Sequence, residues 1–158
     1  KLAGEQVEVT LAFSDIDKAK LHIQFAERRA GEMVEMARQG KTDDISMLTE
    51  QIAKHVGKVS EIGEIWVEKS RAMAPSPPQA QAPPKAAGAY EPEGYMAVKG
   101  AGELKVVLSQ SRVENLAALR NALDKAPEEL KPVLQQAIED MEEDYNKTIS
   151  IIESGSSQ

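Results

Sequence analysis

A regular three-and-four spacing of apolar residues limits what this chain can fold into. The spacing runs from Ile16 to Ala37 and again from Ile45 to Trp66, with His55 as the polar member of the second series. Residues at this spacing lie on one face of an α-helix. The two series are Ile16, Ala19, Ile23, Ala26, Ala30, Met33 and Ala37, then Ile45, Leu48, Ile52, His55, Val59, Ile62 and Trp66. We therefore predict two long helices, each with one face that another helix must cover.

The ends of the two series place a tight turn between the helices. Ser14 is a suitable N-cap for the first helix, and Gly40 is a suitable stop. Thr42 then precedes two aspartates that suit the first turn of the second helix. So short a turn makes the helices antiparallel neighbours, with Ala26 near His55. Three glycines inside these helices, Gly31, Gly57 and Gly63, predict close helix crossings.

The last third of the chain predicts a second helical hairpin. Leucines recur between 104 and 123, and apolar residues recur between 134 and 152. Pro127 suits the first position of the last helix, where a missing N–H costs nothing. Residues 1–12 suit a short leading helix. The predicted fold class is all-α: two antiparallel long-helix hairpins plus a short N-terminal helix, joined by a Pro/Ala-rich linker.

The linker separates two helical regions that we expect to pack as one domain. Residues 1–73 hold the first hairpin, 74–100 the linker and 101–158 the second hairpin; six of the eight prolines lie in the linker. Four of its residues are larger and more apolar than a spacer needs, namely Tyr90, Tyr95, Met96 and Val98. These side chains predict docking, either back onto the bundle or onto another chain.

The composition excludes several classes of function. The chain has no cysteine, which removes disulfides and thiolate metal sites. Its formal charge of −7 argues against a nucleic-acid-binding surface. No stretch approaches the 18 apolar residues of a membrane span. The chain begins at Lys1 within an apparent helix, so we expect a signal or anchor to precede it.

Several blocks of the sequence resemble a known but uncharacterised family. They are residues 1–3 (KLA), 11–13 (LAF), 21–29 (LHIQFAERR) and 125–139 (KAPEELKPVLQQAIE). The chain is similar in these blocks to a bacterial family of extracytoplasmic helical domains of unknown function. The resemblance implies a domain outside the membrane that follows an N-terminal anchor, and it implies no known activity or catalytic residues.

The candidate site residues each have a chemical and a structural interpretation. His22 and His55 could bind zinc or copper, but neither has another metal-binding side chain three or four residues away. We expect both to be packing or interfacial histidines, with no metal and no cofactor. Arg28 and Arg29 could bind an anionic partner, or they could form ion pairs within their own helix.

These observations favour a protein that acts through its surface. We predict an extracytoplasmic helical protein–protein interaction or structural assembly module of the bacterial cell envelope, without catalysis. Its expected partner is another protein or a second copy, with no nucleic acid, and with membrane contact only through an N-terminal anchor absent from this chain. The alternative is a metal-handling envelope protein that uses His22 and His55.

Overall fold

A computed structural model of the protein describes residues 14–72 and 93–156, and the side chains of residues 14–69 and 100–154. The described part of the chain contains four helices and no strand. They are α1 (Asp15–Arg38), α2 (Thr42–Ala72), α3 (Glu93–Lys125) and α4 (Lys131–Ser156). The prediction of an all-α fold is therefore confirmed.

The first helix begins and ends where the sequence signals predict. The Ser14 side chain accepts a hydrogen bond of 3.1 Å from the backbone N–H of Asp17, which satisfies one of the unpaired amides of the first turn. Gly40 has a φ of 74°, a conformation that glycine adopts without strain. The chain reverses direction there and enters α2 at Thr42.

The four helices pack as a bundle in which each helix has two main neighbours. α1 lies against α2 and α3, while α4 lies against α2 and α3 from the other side. Ion pairs join neighbouring helices at the surface: Lys20 of α1 bonds Glu103 of α3 at 2.6 Å, and Lys105 of α3 bonds Glu153 of α4 at 2.8 Å. The order around the bundle is α1–α2–α4–α3, so α2 and α3 face each other mainly across the diagonal.

Small residues on α1 and leucines on α3 fill the core between the helices. The α1 alanines at 19, 26, 30 and 37 are all buried, as are Leu104, Leu108 and Leu119 of α3. A Cβ added at Gly100 would meet the side chains of Ile16 and Trp66, so α3 passes close to this end of α1 and α2. Alanine and glycine at these positions allow the close approach that brings the larger side chains together.

Two helix boundaries differ from the prediction. α3 begins at Glu93, so the last eight residues of the predicted linker (93–100) are helical. α4 begins at Lys131, because Pro132 has no N–H and fits only the first turn. Pro127 belongs instead to a turn, which the Leu130 N–H closes by bonding the Pro127 carbonyl at 2.9 Å. The predicted leading helix and the rest of the linker lie outside the described residues.

The three helix glycines do not all mark close crossings. A Cβ added at Gly63 would lie 3.1 Å from Cγ1 of Ile152, which confirms a tight contact between α2 and α4. A Cβ added at Gly31 or Gly57 would meet nothing within 4 Å. The predicted close crossings at Gly31 and Gly57 are therefore wrong.

Candidate functional site

The two histidines of the chain meet between α1 and α2. The Nδ1 atoms of His22 and His55 lie 3.1 Å apart, and the ring centroids are 5.4 Å apart. His55 is buried, with 7% of its surface exposed, and His22 is half-buried. The sequence predicts this proximity to within one helical turn, because Ala26 and His55 share one level of the hairpin. The direct contact between the two rings is new.

This contact limits how the two imidazole rings can form a hydrogen bond with each other. Within a hydrogen bond between two Nδ1 atoms, one imidazole donates its N–H and the other accepts with a bare nitrogen. Two protonated Nδ1 atoms at this distance would point their hydrogens at each other. A hydrogen bond between these atoms therefore needs one donor and one acceptor, and it would join α1 to α2.

An aromatic side chain and an arginine border the histidine pair. The ring centroid of Phe25 lies 6.1 Å from that of His22 and 5.4 Å from that of His55. The guanidinium carbon of Arg28 lies 5.4 Å from the Phe25 ring centroid, which is cation–π range. Arg28 thus covers the outer side of a small aromatic cluster, defined here as His22, Phe25 and His55.

Arg29, although adjacent to Arg28, lies inside the protein. Only 2% of its surface is exposed, and its Nη1 bonds Oε2 of Glu32 at 2.9 Å. The sequence interpretation that Arg29 presents its charge to a partner does not agree with this burial. The alternative, an ion pair within the helix, agrees with the contact to Glu32.

The remaining predicted partner-binding residues lie outside the described side chains. Tyr90 falls outside the described residues altogether. Tyr95, Met96 and Val98 belong to the first turns of α3, and their side chains are not described. Whether these residues dock on this chain or on another therefore stays a prediction.

A second polar cluster lies in the core between α3 and α4. Tyr145 is fully buried at 0% exposure, and its hydroxyl contacts Oγ of Ser111 at 3.2 Å and Nδ2 of Asn115 at 2.9 Å. Burial raises the pKa of Tyr145 above its ordinary value of 10.0, while the bonds from Ser111 and Asn115 oppose that rise. Sequence reasoning missed this cluster, although Ser111 and Asn115 interrupt the leucine face of α3 at helical spacing. Its members bond one another, which makes it a structural network.

The outer face of α3 is apolar where an outer helix face is ordinarily polar. Val106 is 65% exposed and Val113 is 60% exposed, and they lie one heptad apart on the side away from the core. Gly102 and Ala117 are exposed on the same side, four residues before Val106 and four after Val113. We call these four residues the outer stripe of α3. Sequence reasoning missed this stripe. The feature that could have revealed it is a second apolar repeat on the side of α3 opposite the leucines.

The two flanks of the outer stripe carry opposite charge. Glu103 and Glu114 lie on the flank toward α1, where Glu103 bonds Lys20. The flank toward α4 is basic. Its members are Lys105, which bonds Glu153 of α4, and Arg112, which bonds Asn146 of α4. Arg120 follows Val113 by one heptad, so it ends the outer stripe, and it bonds Glu142 of α4.

An open crevice lies between the ends of α1 and α3. It has a volume of about 500 Å³, and its walls are largely alanine, from Ala37, Ala118, Ala122 and Ala126. Its charged side chains, Arg38 and Lys125, are exposed at the rim. The crevice therefore lacks the convergent, buried polar groups of a reaction site.

The described residues form a four-helix bundle, and the buried Ser111, Asn115 and Tyr145 bond one another in its core. In the part of the chain that the structure describes, no three metal-ligating side chains come together. None of the described helices has both the length and the apolar composition that a membrane crossing needs.

The chain belongs to the family described as Domain of unknown function (DUF5667), whose model matches residues 1–157. This match confirms the resemblance to an uncharacterised family. No curated protein and no solved structure matches the chain.

Proposed function

We propose that this domain is a non-catalytic helical interaction module of the bacterial cell envelope, which docks a protein partner along the outer stripe of α3. The observation that carries this proposal is the pair of exposed valines, Val106 and Val113, one heptad apart on an otherwise solvated helix face. Single exposed apolar residues are common and need no explanation. Two exposed valines at the seven-residue spacing of a coiled coil are suited to contact a second helix that packs alongside α3.

The small residues at both ends of the stripe support a helical partner. Gly102 and Ala117 lack bulk, so a second helix can approach α3 closely there. Burying the exposed parts of Val106 and Val113 would contribute about 1–2 kcal/mol each. The two valines together therefore contribute little to the free energy of binding, which favours a partner held by many weak contacts along the length of α3.

The expected location and partner class come from separate arguments. The extracytoplasmic position rests on the resemblance of residues 1–29 and 125–139 to family members described in that way. The exclusion of nucleic acid rests on the charge of −7.

Site-specific photocrosslinking in the native host tests the docking face. A benzophenone amino acid at position 106 or 113 should form adducts with one and the same protein, which must then bind the purified domain. The same amino acid at the exposed Glu139 of α4 is the control. Equal, low yields at all three positions would overturn the proposal.

Metal handling is the second candidate function, and the histidine contact favours it. Two imidazole nitrogens on one tetrahedral zinc ion lie about 3.3 Å apart, since each Zn–N bond is about 2.0–2.1 Å. The observed 3.1 Å between the Nδ1 atoms of His22 and His55 is close to that separation. Calorimetric titration with zinc, copper and nickel tests the candidate. Binding that His55→Gln abolishes would support it, and the absence of heat would end it.

A further inference from the structure

We infer that the partner on the outer stripe of α3 is a second copy of this chain, with the two α3 helices parallel. This inference rests on the proposed docking face and adds the identity and the orientation of the partner. It comes from the charges that border the stripe, which complement one another in one arrangement of two copies and conflict in the other.

The two flanks are fixed by the neighbours that their residues contact. Glu103 bonds Lys20 of α1, and Glu114 follows it by eleven residues, three helical turns, on the same flank. Lys105 bonds Glu153 of α4, and Arg112 follows it by one heptad and bonds Asn146 of α4. The α3 residues of one flank are therefore acidic and those of the other basic along the same stretch of helix, and pairs between two copies would extend the bonds that these side chains already make within one copy.

A parallel pair brings unlike flanks together. A two-fold axis along the helices places the acidic flank of one copy against the basic flank of the other, on both sides of the stripe. Glu103 then faces Lys105 of the second copy, and Glu114 faces Arg112, each pair offset by two residues or about 3 Å along the axis. An antiparallel pair would instead place acid against acid and base against base.

The stripe itself fits the parallel arrangement. Val106 meets Val106 of the second copy and Val113 meets Val113, as in the core of a parallel coiled coil. Gly102 and Ala117 let the helices approach at the ends, while Ser109 and Gln110 occupy the space between the valines. Exposed ion pairs add little affinity but select the orientation, so the charges decide direction and the valines supply contact.

Single cysteines report the orientation, because the chain has no cysteine of its own. Val106→Cys alone and Val113→Cys alone should each form a disulfide-linked dimer under mild oxidation. Glu139→Cys, on the exposed face of α4, should stay monomeric. An antiparallel pair would cross-link only when the two valine variants are mixed, and that result would overturn the inference.

A charge exchange provides a second test that does not rely on the valines. Glu103→Lys with Glu114→Lys makes both flanks basic, and Lys105→Glu with Arg112→Glu makes both acidic. Each variant should be monomeric in sedimentation velocity, whereas an equimolar mixture should associate at least as well as the parent. Circular dichroism melts confirm that each variant is folded. If either variant dimerises alone like the parent, the inference is wrong.

The outcomes separate this inference from the proposed function. If the purified chain is monomeric at every concentration and forms no disulfide dimer, the second copy is excluded as the partner. The docking face would still stand if positions 106 and 113 crosslink to a different protein in the host. If the chain neither dimerises nor crosslinks to a different protein at positions 106 and 113, both the inference and the proposed function are wrong.

Discussion

Replacing four glycines by alanine should change the stability of the protein in directions that follow from the surroundings of each glycine. Gly31 and Gly57 lie inside α1 and α2, and an added methyl group would meet nothing within 4 Å. Alanine favours a helix interior over glycine by about 0.8–1.0 kcal/mol. For a chain of 158 residues, this corresponds to a rise of about 2–4 °C in Tm. Gly31→Ala and Gly57→Ala should both show this rise.

Gly63 and Gly40 should behave differently for two separate reasons. The methyl group of Gly63→Ala would lie 3.1 Å from Cγ1 of the buried Ile152, so that side chain must move by a few tenths of an ångström in a packed core, and we expect this cost to cancel or reverse the propensity gain. Gly40→Ala would put a Cβ on a residue with φ of 74°, which costs about 1–2 kcal/mol. Both variants should melt at or below the Tm of the parent.

Thermal melts followed by circular dichroism at 222 nm, with urea titrations as a check, measure all four variants. The ranking should be Gly31→Ala and Gly57→Ala above the parent, then Gly63→Ala, then Gly40→Ala. A rise in Tm for Gly63→Ala equal to that for Gly57→Ala would refute the tight crossing of α2 and α4. A fall for Gly57→Ala would refute the open surroundings of that residue.

Three further substitutions, one of them with a matched control, test the core and the charges. Tyr145→Phe should lower the free energy of unfolding by about 1–3 kcal/mol in urea titrations, because Asn115 loses its 2.9 Å bond to the hydroxyl. The contribution of Tyr145 to the parent's stability should fall only above pH 10, since its folded-state pKa lies above the unfolded value. Ala26→Leu should cost about 1–3 kcal/mol by overpacking a fully buried site, while Gln24→Leu on the exposed face of the same helix should be nearly neutral in the same melts. Burial, and after it the nearby carboxylates, raises the pKa of Asp144. The charge of Asp144 therefore opposes folding at pH values above the unfolded-state pKa. Asp144→Asn should raise Tm at pH 7 and leave it unchanged at pH 3.

The helices were predictable because each one buries a continuous apolar face. Ile23, Ala26 and Ala30 repeat at a spacing that only a helix places on one side, and the Gly40 turn leaves one way to pair α1 with α2. The start of α3 at Glu93 was not predictable in the same way. Glycines at 94, 100 and 102 weaken the helix signal there, and the close approach of Ile16 and Trp66 to Gly100 is a tertiary effect.

The candidate sites were less predictable because side-chain contacts depend on more than helical phase. The heptad spacing placed His22 and His55 within a turn of each other, but the contact of their Nδ1 atoms depends on rotamers that spacing does not specify. In the sequence, Tyr145 is indistinguishable from the apolar residues on its helix face, because its hydrogen-bond partners lie 30 or more residues away in α3. The outer stripe was hidden because the leucine face of α3 carries the stronger repeat.

The order of the helices around the bundle has a consequence for the time course of folding. The contacts of α1 with α2 and of α3 with α4 join segments that are adjacent along the chain, so each pair can close early at small entropic cost. The contacts of α1 with α3 and of α2 with α4 join distant segments, and they form only when the two pairs meet. We expect the surface between the two pairs to form last, so that a substitution at Gly63, which lies on that surface, changes the rate of unfolding more than the rate of folding.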